Sequence, residues 1–249
     1  MTTGPLARAW HGLTAAVALV AVVMAVLQGG VQAPADYAAF HTQAARDANV
    51  LVYFTVQSNL IVAVTTLLLA LRPHRSALLF RVFRFDGVAM IVLTAVVYHT
   101  MLAGAQLHGW VFVSNLLLHT VVPVMAVGGW LVLGPRGLVT WRVVWLSLVY
   151  PIAWLVVTLV RGAVIGWYPY PFMDPGEQGT AAVALTLAGI VGAFIGLAAL
   201  LLVVDRALGR LRWRAAAPQP GSSVAEDDLE KLSGGMAIEQ DDISAEWWG

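Results

Sequence analysis

From Thr180 to Val204 the sequence runs without a single ionisable side chain. Five further stretches between Leu6 and Gly166 are almost as apolar. About 20 such residues, coiled at 1.5 Å per residue, span the hydrocarbon core of a bilayer. In that solvent each backbone N–H and C=O must find its partner inside the protein, which an α-helix provides along its own length. Runs of this kind leave the chain little choice but an all-α, polytopic membrane fold.

The spans are read as Leu6–Leu27, Val50–Leu71, Gly87–Gln106, Phe112–Leu133, Val143–Gly166 and Thr180–Val204, a six-transmembrane-helix bundle. The connections between them are short or turn-rich, as in "GPRG" and "YPYPFMDPGEQG". Only 11% of the residues are charged, against about 25% in soluble domains, so no separate soluble domain is expected. The bundle is assigned to residues 1–214. Residues 215–249 turn polar and acidic, with Pro, Gly and Ser, and read as a disordered tail.

Arginines set the orientation. Arg8, Arg72, Arg75, Arg81, Arg84, Arg136, Arg142, Arg206, Arg210, Arg212 and Arg214 all fall at one end of the helices, and Arg46 alone at the other. The positive-inside rule then places both termini in the cytoplasm. An alternative leaves helices two to six unchanged: the first helix is a signal peptide, with "VQA" before Pro34 as its cleavage site. Abundant Ala, Val and Arg with almost no Lys points to a GC-rich bacterial source, and so to the bacterial plasma membrane. Zero net charge gives no reason to expect a nucleic-acid partner. The absence of cysteine excludes disulfides, thiol catalysis and cysteine metal sites. No phosphate loop, nucleotide motif or acidic metal cluster occurs in the helices, so neither metal nor cofactor is expected, and the oligomeric state is left open. "SNLIVAVTTLLLAL" and "SNLLLHTVVPVMAV" echo each other in two helices of the same direction, a weak sign of a duplicated hairpin.

Polar side chains interrupt the runs at similar depth. Thr55 and Arg161 are expected about 8 Å, and His99 and His119 about 10 Å, below the outer ends of four different helices. Thr55, Ser58 and Asn59 share one helix face at i, i+3, i+4. Asn115 and His119 share another, and Ser147, Tyr150, Trp154, Thr158 and Arg161 a third. Polar groups facing lipid are expensive, so these faces turn inward and define a polar pocket under the outer surface.

Several of these residues also have plain structural readings. Ser58, Asn59, Ser114 and Asn115 suit interhelical hydrogen bonds. Arg161 can snorkel to the headgroups, and His99, with Tyr98 beside it, can be a satisfied packing residue. Gly189, Gly192 and Gly196 suit close helix packing. Asp86 is expected to pair with Arg84 or a neighbouring arginine. Trp110, Trp167, Tyr168 and Tyr170 fit an interfacial aromatic belt. His119 stands apart, because an ionisable residue inside the membrane marks a functional position, and Pro123 one turn on frees a carbonyl beside it.

A threonine becomes a nucleophile when a base takes its proton, and a neutral imidazole can do so and then pass the proton to the leaving group. Asn59, Asn115 and Arg161 can donate to a developing oxyanion or hold a carboxylate. No carboxylate is placed to orient His119, which leaves Tyr98 or an asparagine for that task.

"YFTVQSN" in one helix, with "NLLLHTVVP" about 60 residues later, resembles the androgen-induced and androgen-dependent family of multi-helix membrane hydrolases. The chain also resembles a bacterial six-helix membrane group of unassigned activity. The family resemblance implies a threonine nucleophile at Thr55, a histidine at His119, and as substrates fatty acid esters of hydroxy fatty acids or similar long-chain esters. Two other functions fit the same residues. One is a non-catalytic protein that binds or transports a lipid or small solute through the pocket. The other is a haem electron carrier with His99 and His119 as axial ligands, although these lie on consecutive helices joined by a tight turn.

Overall fold

The computed structural model describes residues 4–28, 40–104 and 106–216, and among these every regular element is helical. The expected acidic tail lies outside them. In chain order the α-helices of seven or more residues are α1 (Pro5–Leu27), α2 (Gln43–Val50), α3 (Phe54–Leu71), α4 (Leu78–Val97), α5 (Gly109–Leu116), α6 (Val122–Leu133), α7 (Trp141–Ser147), α8 (Val149–Ile165) and α9 (Thr180–Ala216). Residues Tyr98–Leu102 extend α4 as one π-helical turn, and Leu117–Val121 join α5 to α6 as another. The chain divides into two units, Met1–Arg206 and Ala207–Gly249. The packing and the site described below lie in the first.

Among the described residues five helices are long and apolar enough to cross a membrane: Pro5–Leu27, Phe54–Leu71, Gly109–Leu133, Trp141–Ile165 and Thr180–Leu211. The remaining long helix, α4, begins at Leu78 rather than near Gly87, so Arg81, Arg84 and Asp86 lie within it and not in a loop. The arginines are tolerated there because the turn between α6 and α7 offers them acceptors. Arg81 Nε donates to the Leu138 carbonyl at 2.8 Å, and an Arg84 N–H to the Gly134 carbonyl at 2.5 Å. Asp86 does not pair with an arginine. It is fully buried, neither carboxylate oxygen meets a donor, and residues two apart on a helix do not face each other. Asp205 of α9 reaches the α6–α7 turn instead, accepting from the Gly137 and Val139 N–H groups at 3.0 and 3.2 Å.

Packing follows side-chain size. Ala7, Ala15, Ala18, Ala21 and Ala25 make the buried stripe of α1. Small residues let backbones approach closely where lipid supplies no hydrophobic drive between helices. Ala18 belongs to one buried cluster with Val62, Ala63, Ile91, Val122 and Ala126, and Ala21, Val22 and Ala25 to another with Val50, Val56 and Leu118. A larger core joins Phe85, Ala89 and Met90 of α4 to Val143 and Val144 of α7 and Phe194, Ala198 and Leu202 of α9. Gly189, Gly192 and Gly196 are not packing glycines. They lie on an exposed face of α9, and a Cβ added to any of them would touch nothing within 4 Å. The contacts of α9 come from its opposite face, which carries the larger side chains Leu187, Ile190, Val191 and Phe194.

Candidate functional site

The loop after α8 forms the roof. Gly166 adopts φ +70°, a conformation that L side chains rarely take, and its N–H closes the helix on the Gly162 carbonyl at 2.8 Å. Gly162 gives up its Cβ to the ring of Tyr168, which would stand 2.1 Å from such an atom. The chain then returns over the start of α3. Trp167 packs edge-on against Phe40 and Tyr53, with centroids 5.1 and 6.0 Å apart, and Tyr170 packs edge-on against Tyr53 at 5.6 Å. Both Trp167 and Tyr170 are buried, so they do not form an interfacial belt, although Trp110 is exposed as expected. Pro169 and Pro171 flank Tyr170 and fix the backbone that aims it inward.

Under this roof the Thr55 hydroxyl lies 3.3 Å from Nε2 of His119. The other ring nitrogen, Nδ1, is 3.0 Å from the backbone carbonyl of Asn115. A carbonyl only accepts, so in the neutral ring Nδ1 carries the hydrogen and Nε2 presents its lone pair to the threonine. This is the tautomer a general base needs, and no carboxylate is required to set it. The contact that holds the ring comes from the main chain of Asn115, not from its side chain. Its side chain donates to the Tyr98 hydroxyl, and the Tyr98 ring stacks on the imidazole at 4.0 Å and 22°. Tyr98 and His119 each sit in a π-helical turn, a feature that recurs at functional positions because the extra residue re-aims the side chain.

The two asparagine positions divide the labour. Asn59 is fully buried and donates to the Thr55 carbonyl at 2.8 Å and to the Leu118 carbonyl at 3.3 Å. Pro123 has no N–H to offer the turn before it, and Asn59 takes up a carbonyl thereby left over. One side chain thus ties the helix of Thr55 to the segment that carries His119. Ser58 donates to the Thr55 carbonyl at 2.9 Å and meets the Thr94 hydroxyl of α4 at 3.2 Å.

Two of the other expected residues lie elsewhere. His99 is exposed and pairs with the Thr120 hydroxyl at 3.2 Å, and the Tyr98 ring lies against both histidines. Arg161 donates to Asn49 Oδ1 at 2.7 Å and lies over the rings of Trp167 and Phe40. It secures the roof and does not face the threonine. The common depth also has a different origin. Thr55 is the second residue of α3, not five residues in, while His119 is ten residues past the start of α5, about 15 Å along it. They meet because α3 begins deeper than α5, beneath α2 and the roof. Tyr150, Trp154 and Thr158 do turn inward: Tyr150 donates to Gln57 Oε1 and Trp154 to the Val52 carbonyl, both at 2.8 Å, and Thr158 is buried.

Beside Thr55 opens a cavity of about 880 Å³, its mouth included. Its far walls are Leu93 and Val97 of α4, Ile152 and Leu155 of α8, and Ile190 and Phe194 of α9. Thr55, Thr94, Tyr98 and Tyr170 bring hydroxyls to an otherwise apolar lining. The lining suits a hydrocarbon chain with one polar end. Among the described residues no cluster of three or more metal-ligating side chains occurs. The fold and site define a helical protein in which a threonine hydroxyl on the wall of an apolar cavity is paired with an imidazole. No family model, curated protein or solved structure matches the chain.

Proposed function

We propose that this protein is an intramembrane hydrolase of long-chain esters, with Thr55 as nucleophile and His119 as general base and acid. The observation that carries the reading is the relay from the Asn115 carbonyl through the His119 ring to the Thr55 hydroxyl, at 3.0 and 3.3 Å, beside an apolar cavity. The Thr55 proton passes to Nε2 as Oγ1 bonds to the ester carbonyl carbon. Collapse breaks the bond to the alcohol oxygen, which takes that proton from His119. Water, deprotonated by the same nitrogen, then attacks the acyl-threonine, and the acid leaves as Oγ1 regains its hydrogen. The resemblance to the androgen-induced and androgen-dependent hydrolases supports the same two residues and the same ester class. Labelling of the purified protein with a lipophilic fluorophosphonate tests the reading. The wild type is expected to label, and Thr55→Ala to stay unlabelled; equal labelling of both rules out Thr55 as the nucleophile.

In its membrane setting the protein is proposed to cross the bilayer six times, with α4 as the span beyond the five most apolar helices and both termini in the cytoplasm of a bacterial cell. The arginine distribution supports this orientation, and lipids are then its surroundings and its source of substrate. The chain has no cysteine, so each introduced one reports alone. In intact cells an impermeant maleimide is expected to label Gln178→Cys, in the roof loop, and not Ser76→Cys, between α3 and α4. The reverse pattern overturns the orientation.

A further inference from the structure

A nucleophile and a base do not complete an acyl-transfer site, because the carbonyl oxygen that gains charge needs a donor. Arg161 is turned to Asn49, and Asn59 spends its N–H groups on two carbonyls. The group that does face Thr55 is the phenol of Tyr170. Its oxygen lies 3.3 Å from the Thr55 backbone N and 3.5 Å from Oγ1, on the cavity wall. The N–H of Thr55 donates to the phenol oxygen, which leaves the phenol hydrogen to donate to Oγ1 or to an atom bonded beside it. The ring has little freedom to turn away, being parallel to Phe172 at 5.3 Å and edge-on to Tyr53.

The helix start adds to this. The first N–H groups of α3 have no intrahelical acceptors, Tyr53 before them provides no side-chain cap, and that of Thr55 goes to the Tyr170 phenol. They leave partial positive charge beside the nucleophile, where a developing anion is stabilised.

We propose that Tyr170 is a catalytic residue, the hydrogen-bond donor to the oxyanion formed when Thr55 attacks an ester carbonyl. The inference rests on the hydrolase reading given above. In the step, the carbonyl π pair moves onto oxygen as the Oγ1–C bond forms, and that oxygen takes the Tyr170 hydrogen bond. No proton leaves the phenol, and collapse returns the pair to the carbonyl. Oγ1 and the oxyanion sit on the same carbon, so a phenol 3.5 Å from the first lies within reach of the second. Tyr170 lies in the roof loop, where burial holds the phenol above its ordinary pKa, so it keeps its hydrogen at neutral pH.

The test is Tyr170→Phe in the full chain, reconstituted in lipid nanodiscs, with p-nitrophenyl palmitate as substrate. Phenylalanine keeps the ring contacts and removes only the hydroxyl. The expected loss in kcat is about 10²- to 10³-fold with KM little changed. Phosphonylation of Thr55 by a lipophilic fluorophosphonate, whose transition state also places charge on oxygen, is expected to slow by a similar factor. A role limited to capping α3 lowers thermal stability and leaves both rates within about threefold, and that result overturns the proposal while the dyad stands. A wild type with no more activity than Thr55→Ala overturns the dyad reading and this inference together.

Discussion

With Thr55 and His119 in the proposed roles, Thr55→Ala and His119→Gln are each expected to bring long-chain ester hydrolysis down to background, a loss of about 10²- to 10⁴-fold for the base alone. The two side chains act as one unit, so the double variant is little worse than either single one. Thr55→Ser keeps the hydroxyl at the start of α3 and removes one methyl, worth about 0.8 kcal/mol of burial, so it retains hydrolysis within a few-fold of wild type. His119→Gln keeps a polar side chain of similar length against Tyr98, which makes a folding failure a poor explanation of its loss. Thermal unfolding of each purified variant checks this directly. The wild-type rate falls as pH drops and the imidazole is protonated, because a charged ring has no lone pair for the threonine proton. Steady-state kinetics that leave Thr55→Ala at the wild-type rate remove the threonine from the mechanism.

The amino-acid sequence carries the fold in its solvent preference and carries the site in its exceptions. Apolar length alone marks the helices, because lipid requires it of every span. Where boundaries moved, the cause was a tertiary partner that no local pattern displays. The start of α4 runs back to Leu78 because the α6–α7 turn offers carbonyls to Arg81 and Arg84. The pairing of Thr55 with His119 was legible because hydrogen-bonding residues are costly in a span and cluster where they serve one another. The pairing of Asp86 with arginine was misjudged because proximity in sequence is not proximity across a helix. Arg161 and His99 sit near the right level but turn to Asn49 and Thr120, and rotation about a helix axis is finer than the spacing argument resolves. Tyr170 was hidden for another reason. Loop aromatics of a membrane protein belong to the interface by default, and only the flanking prolines of "YPYP" mark one held in a single orientation.

If the cavity beside Thr55 holds the acyl chain, filling it changes which ester is hydrolysed and not whether one is. Ile190 of α9 lines that cavity opposite α4 and is half-buried. Ile190→Trp places an indole in space the chain would occupy. Neither lipid nor the cavity wall is aqueous, so a substrate arriving from the bilayer gains little hydrophobic drive on entry. Fit decides instead, and overpacking of an apolar interior costs about 1–3 kcal/mol. At 1.36 kcal/mol per tenfold this predicts a loss of about 5- to 150-fold in kcat/KM for p-nitrophenyl palmitate. The butyryl chain is twelve carbons shorter than the palmitoyl chain and fills far less of the cavity, and Thr55, His119 and Tyr170 are untouched, so its hydrolysis is expected to stay within about threefold of wild type. The ratio of the two rates is therefore the measurement, since partial unfolding or poor reconstitution lowers both together. An unchanged ratio in a variant that reconstitutes normally places the acyl chain elsewhere, and the dyad then takes its ester from another direction.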